Sequence, residues 1–186
     1  MTIGHLLASR HSGSTDSNAH ELLFVGTLTK ENEFGVEFFM EEILPRIQSR
    51  YPDTRLLICG KICSVIADSP HSIKLGVVED ISTAYERAGI VINPAYLGTG
   101  LAIKSIEALS YGKPLVTTPQ GARGLEEGRD RAFLVGHTAE DFSRHIIHLF
   151  DDIDFRKKFS VRAYEFARSY QADNLSKLAM IVKYQK

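Results

Sequence analysis

The strongest constraint on this chain is a rhythm of short, uninterrupted apolar runs, most of them closed by glycine or proline, alternating with stretches of helical periodicity. "ELLFVG" ends at Gly26, "TRLLICG" at Gly60, "SIKLG" at Gly76 and "GIVINP" at Pro94, and "KPLVTT" and "RAFLVG" follow. Between the first two runs, Val36, Phe39, Met40, Ile43, Leu44 and Ile47 recur at the spacing of one helix face. A strand that is apolar throughout must be covered on both sides, so these runs predict a parallel sheet with helices on both faces. The expected fold is α/β, a doubly wound parallel sheet of about six strands. C-terminal helices are expected from about residue 139 onward, with Asp141, Asp154 and Asp173 each near a helix start.

At 186 residues the chain has room for one full core. Residues 9–19 are rich in Ser, Gly, Asp and Asn, so residues 1–20 are expected to form a flexible arm and residues 21–186 the folded domain. A formal net charge of -1 gives no overall field that favours nucleic acid or an anionic membrane. Cys59 and Cys63 stand alone, without a second pair or a histidine at ligand spacing, and read as reduced thiols. No apolar run approaches the ~20 residues that span a bilayer. The apolar stretch at the start is too short for a signal peptide, so a cytoplasmic protein is expected.

In an open parallel sheet, ligands bind beyond the carboxyl ends of the strands. The loops that would gather there are Gly26-Thr27-Leu28, Gly60-Lys61, Gly76-Val77-Val78, "YLGTG" with Gly98, Thr99 and Gly100, and "TTPQG". The glycine loop runs into "LAIKSIEAL", a helix expected over residues 101–111. Its glycines let backbone N–H groups approach an anion, and the helix N-terminus favours negative charge, so a phosphate suits the position. Lys104 lies about one turn inside that helix, and Glu107 follows three residues later on the same side. A carboxylate that accepts two hydrogen bonds can hold a vicinal diol such as a ribose, and the set suits a nucleotide. The same residues are equally compatible with a tight strand-to-helix turn and a surface ion pair. Gly112-Lys113-Pro114 reads as a helix stop, and none of the histidines has the neighbours of a catalytic triad.

The stretches "FVGTLTKENEFGVEFFMEEILPRI", "LLICG", "IKLGVVEDISTAYERAGIVINPAYLGTGLAIKSIEALSYGKPLVTT" and "GARGLEEG" resemble, in order and spacing, the C-terminal half of a group 1 glycosyltransferase. These are the retaining enzymes of glycosyltransferase family 4, with the GT-B architecture. The resemblance runs from about Leu22 to the end of the chain. It implies a Rossmann-like domain that holds a nucleoside diphosphate sugar as substrate, facing an N-terminal domain that binds a saccharide or lipid-linked acceptor. It implies that Glu107 binds the ribose hydroxyls, and that Gly98, Thr99, Gly100 and Lys104 attend the diphosphate and sugar. Gly26 and Thr27 would face the phosphates, Val77 and Val78 the base, and Arg123 a phosphate; no catalytic residue is assigned.

Helix N-termini and basic side chains would take the part of a metal ion, so neither metal nor other cofactor is expected. Where many members carry a glutamate eight residues before Glu107, this chain has Thr99. Where they carry an arginine and, five residues on, a lysine, it has Thr27 and Asn32. The expectation is a hexosyltransferase domain that is inactive alone and needs the acceptor domain or a partner chain, through which any membrane association would run. A homodimer is open, since Leu175, Leu178, Ala179 and Val182 line a C-terminal helix expected over residues 173–184. The alternative is a non-catalytic nucleotide-binding or scaffold module of the same fold. A flavodoxin-like regulatory domain would need an acidic cluster after the first strand, and "FVGTLTK" has none.

Overall fold

The computed structural model describes residues 18–98 and 102–184. Its centre is a sheet of six strands: β1 (Asn18–Val25), β2 (Arg55–Cys59), β3 (Ser72–Gly76), β4 (Ala88–Asn93), β5 (Leu115–Thr117) and β6 (Leu134–Val135). The order is β3-β2-β1-β4-β5-β6, and every pairing is parallel. This is a doubly wound, Rossmann-like sheet, as expected, with its change of direction between β1 and β4. The strand β1 takes in Asn18 and His20 of the expected arm, and His20 packs its ring against Tyr51 and Phe150 with centroids 4.7 Å away in both cases.

Two apolar clusters lie on the two faces of the sheet, and the strand period of two divides the residues between them. Leu22 and Phe24 of β1 join Val36, Phe39 and Ile43 on one face, whereas Leu23 joins Leu57, Tyr85, Ile106 and Leu109 on the other. The first face is covered by α1 (Lys30–Phe38), a π-helical turn (Phe39–Ile43), α2 (Leu44–Gln48) and α5 (Ala139–Asp151). The second is covered by α3 (Ser82–Arg87) and α4 (Ile103–Ser110), and α6 (Ile153–Tyr184) reaches both, through Phe159 and through Ala163.

The single helix read from Val36 to Ile47 is thus interrupted. Leu44 N–H bonds to the Phe39 carbonyl five residues back, and Pro45, which has no N–H, starts the next α-helical turn. The six-residue α3 carries too few turns for its periodicity to stand out in the sequence.

At the C-terminus the structure corrects the expected break near Asp173. One helix runs through it, because residues 153–184 contain neither glycine nor proline. Of the apolar residues noted there, Leu175 is exposed and Leu178 half-buried, and Met180 is exposed as well. Among the described residues, no helix is long and apolar enough to cross a membrane.

Glu21, at the start of β1, is 3% exposed and accepts from Arg87 Nε at 2.8 Å and Nη2 at 2.7 Å. This forked pair ties α3 to the amino ends of the strands, and removing Arg87 would take away both short hydrogen bonds of a buried carboxylate and leave Arg55, 3.8 Å away, beside it. Arg87→Leu is expected to lower unfolding free energy by about 1–2 kcal/mol, read from the urea midpoint.

Candidate nucleotide site

The loops after β1, β2, β3, β4 and β5 share the carboxyl edge of the sheet, as parallel strands require. Their backbones are interlocked. Gly26 N–H donates to the Cys59 carbonyl at 2.9 Å, and Gly60 N–H to the Gly76 carbonyl at 2.7 Å. Gly26 is buried beneath the mouth of β1, and Thr27 is exposed above it.

A second set of bonds fixes the start of α4. Asn93, the last residue of β4, donates from Nδ2 to Ser105 Oγ at 2.8 Å, and Ser105 Oγ donates to the Gly121 carbonyl at 2.6 Å. Thr117 Oγ1 donates to the Asn93 carbonyl at 2.9 Å, and Thr118 Oγ1 to that of Ala95. Ala102 N–H, just before α4, bonds to the Arg123 carbonyl at 3.3 Å. Gln120 reaches from the loop after β5 to the Gly98 carbonyl.

This network holds the N-terminus of α4, where a helix leaves its first N–H groups without intrahelical partners, against the strand ends. Ser105→Ala removes the donor to Gly121 and the acceptor of Asn93 in a fully buried place. It is expected to cost about 2 kcal/mol in chemical denaturation.

Lys104 is half-buried, and its ammonium lies 4.5 Å from the centre of the Phe24 ring. Its Nζ donates to Asn32 Oδ1 of α1, and Asn32 Nδ2 donates to the Thr27 carbonyl at 2.9 Å. Burial lowers the Lys104 pKa to about 8.

One turn further along α4, Glu107 is half-buried beside the buried Tyr85 and Cys59. Tyr85 stacks on Tyr111 with centroids 4.1 Å apart. Burial first, and then the Glu107 charge, push the Tyr85 pKa well above its usual value. The Cys59 thiol is also pushed up, by burial first, with Cys63 and Glu107 adding to it and the Gly60 and Val78 N–H groups opposing.

The expected site residues therefore gather on one edge. Gly26 and Thr27, Val77 and Val78, Gly98, Lys104 and Glu107 all lie on the loops or the helix that open there. Val77 is 71% exposed, and Val78 packs on the second cluster. Gly98 turns the chain at φ 114°, a conformation that favours glycine. Arg123 is exposed, close enough to Glu126 to help lower that carboxyl's pKa, after the backbone N–H groups of Gly124 and Glu126. Thr99 and Gly100 lie outside the described residues.

Of the buried supports, Thr117 and Thr118 lie in the expected loop "TTPQG", whereas Asn93 and Ser105 are not among the expected site residues. Their signal was polarity inside otherwise apolar elements, "GIVINP" and the inner face of "IKSIEAL". Gly112-Lys113 does stop a helix: Gly112 has φ 66°, and the buried Lys113 donates to the Ala88 carbonyl at 3.0 Å, at the far end of β4.

The edge so built has counterparts among known proteins. The family model for glycosyl transferases group 1 matches residues 19–152. An uncharacterized 44.6 kDa protein in the cps region of Klebsiella pneumoniae is 24% identical over 158 residues, covering 78% of this chain and 41% of that protein. S. aureus TarM, crystallised as a variant with Fondaparinux, alpha-GlcNAc-glycerol and UDP, has TM-score 0.76 at 16% identity, over 96% of this chain and 38% of TarM. The C-terminal domain of a glycosyl transferase group 1 family protein (LpcC) from Francisella tularensis has TM-score 0.65 at 16% identity, over 87% of this chain and 94% of that domain. The chain thus spans less than half of the curated relative and of TarM, and nearly the whole of a solved C-terminal domain. With a family match over most of its length and the sheet order of a GT-B half, the chain belongs to the group 1 glycosyltransferases.

Proposed function

We propose that this chain is the donor-binding domain of a retaining, cytoplasmic glycosyltransferase of the hexosyltransferase class. It takes a nucleoside diphosphate sugar, and a companion acceptor-binding domain brings a saccharide or lipid-linked acceptor. The observation that carries this reading is the convergence, at the β1/β4 switch, of a buried-rooted cation and a half-buried carboxylate one turn apart on α4.

In this reading the base rests on the turn at Val77 and Val78, and Glu107 accepts from both ribose hydroxyls. The diphosphate lies over Gly26 and Thr27 toward Gly98 and the N-terminus of α4, where the helix dipole and Lys104 offset its charge. Arg123, exposed at the rim, is within the same loop cluster and serves the distal phosphate. As the sugar leaves, charge grows on the diphosphate, and fixed dipoles and a nearby cation stabilise it most where water is excluded. No metal ion is assigned a part. That TarM was crystallised with UDP supports the donor class, and its length supports a second domain for the acceptor.

Calorimetry with UDP, GDP and ADP and their sugar conjugates tests the reading. One of the three is expected to bind, and Glu107→Ala to weaken it. A chain that binds none, in which Glu107→Ala changes nothing, overturns it. A non-catalytic module is favoured by one observation, the neutral Thr27 and Asn32 at the mouth of β1. Nucleotide binding with no sugar transfer or donor hydrolysis, after the acceptor domain is joined, selects that second reading.

A further inference from the structure

The loop after β1 carries no basic side chain of its own over Gly26, Thr27, Leu28 and Thr29, and the cation beside it comes from elsewhere in the fold. Lys104 reaches it from α4, 72 residues away in sequence, and the contact runs through Asn32. The Asn32 amide is oriented by both of its ends. Its Nδ2 donates to the Thr27 carbonyl at 2.9 Å and sits 3.4 Å from Thr27 Oγ1, which leaves Oδ1 facing the other way, where it accepts from Lys104 Nζ.

The backbone holds Asn32 as well. Its N–H donates to Thr29 Oγ1 at 3.3 Å in the N-cap of α1. A methyl group placed on Gly26 would lie 3.4 Å from Asn32 Nδ2, so the amide rides directly over the floor of the loop. The Phe24 ring closes the ammonium from below.

We propose that Asn32 is a positioning residue for donor binding: it holds the Lys104 ammonium at the mouth of β1, so that a cation borne on α4 serves the phosphates above Gly26 and Thr27. The inference rests on the nucleoside diphosphate reading of the same edge. Asparagine suits the task because it accepts a hydrogen bond without neutralising the charge. One of the three ammonium protons goes to Oδ1, and the positive charge stays available to an anion. Aspartate has the same shape and would pair with the cation instead. Since side chains at positions 32 and 104 meet at one point, a lysine placed on α1 can deliver a cation to that point too.

The surroundings fix the sign of the pH effect. Phe24 of β1 and Asn32 of α1 face the ammonium and are neutral, while Glu107, the nearest acidic residue further along α4, acts on Tyr85 and Cys59. Burial lowers the Lys104 pKa to about 8, so the ammonium is complete below that pH and is lost above it. Affinity for a diphosphate is then highest below about pH 8 and falls as pH rises through it.

The test uses the whole chain, titrated with UDP, GDP and ADP and with the matching free nucleosides, and follows the Lys104 side chain by NMR across pH. Asn32→Asp is expected to weaken the bound nucleoside diphosphate by about 10-fold or more, to leave the free nucleoside unchanged, and to raise the Lys104 pKa. Lys104→Met is expected to weaken the diphosphate by about 30-fold, and Asn32→Lys/Lys104→Asn to recover affinity to within about threefold of wild type. In the exchanged variant the loss of affinity with rising pH moves toward the usual lysine range.

Wild-type binding with unchanged affinity and unchanged Lys104 pKa in Asn32→Asp overturns the positioning role alone. A wild-type chain that binds none of the three diphosphates overturns the site reading and this role with it.

Discussion

Gly60→Ala is expected to be among the most destabilising single substitutions in this chain, with a loss of roughly 3–5 kcal/mol of unfolding free energy. Gly60 has φ 106° and ψ -174°, a region of backbone space that is nearly closed to any residue with a Cβ. A Cβ there would also stand 2.2 Å from the Gly26 carbonyl oxygen, which is backbone and cannot rotate away. The two penalties have one cause: β1 and β2 are adjacent, and their loops cross at van der Waals distance above the sheet.

Urea unfolding would show a lower midpoint with an unchanged slope. Because Gly26 forms the floor beneath the proposed phosphates, the folded fraction is also expected to bind nucleotide more weakly. A loss under about 1 kcal/mol would mean that the loops can part without cost, against the geometry described.

The second large effect belongs to Glu107. If its carboxylate accepts from both ribose hydroxyls, Glu107→Ala removes two charge-assisted hydrogen bonds and is expected to weaken nucleoside diphosphate binding by about 30-fold or more, some 2–3 kcal/mol. The sugar provides its own control. Replacing the ribonucleoside diphosphate by its 2′-deoxy form should cost wild type several-fold and cost Glu107→Ala almost nothing, because the partner is already gone. Inorganic pyrophosphate should bind both proteins alike. Equal sensitivity to deoxygenation in the two proteins would place the ribose elsewhere and give Glu107 a part within the fold, beside Tyr85 and Cys59.

The fold was legible in the sequence because its strands are buried on both faces. "ELLFVG", "RLLICG" and "GIVINP" are continuous apolar runs, and each became a strand of the parallel sheet. What the sequence concealed in the fold were local interruptions and continuities that the apolar spacing does not record. The π-helical turn before Pro45 left the apolar spacing of the helix almost unaltered. The six residues of α3 were too few to show a period. Asp173 looked like a helix start, yet a surface aspartate inside a helix without glycine or proline costs little.

The candidate site divides by separation along the chain. Gly98, Lys104 and Glu107 could be named from local spacing, since a glycine loop and one helix turn determine where they fall. The Asn32 amide, the Ser105 hydroxyl and the Asn93 side chain could not, because each acts through a partner 12 to 72 residues away. Asn32 in particular read as a missing lysine, and the structure places a lysine from another helix against it.

The most direct test of the central claim, that the carboxyl edge of the sheet at the β1/β4 switch holds a nucleoside diphosphate, is a backbone amide NMR titration of the chain with UDP, GDP and ADP. At least one nucleotide is expected to shift the amides of Gly26, Thr27, Val78, Gly98, Lys104 and Glu107 in one saturable transition, and to leave those of Glu21, Thr54 and Ala88 at the opposite edge unmoved. Shifts confined to that opposite edge, or no saturable shift with any of the three, would contradict it.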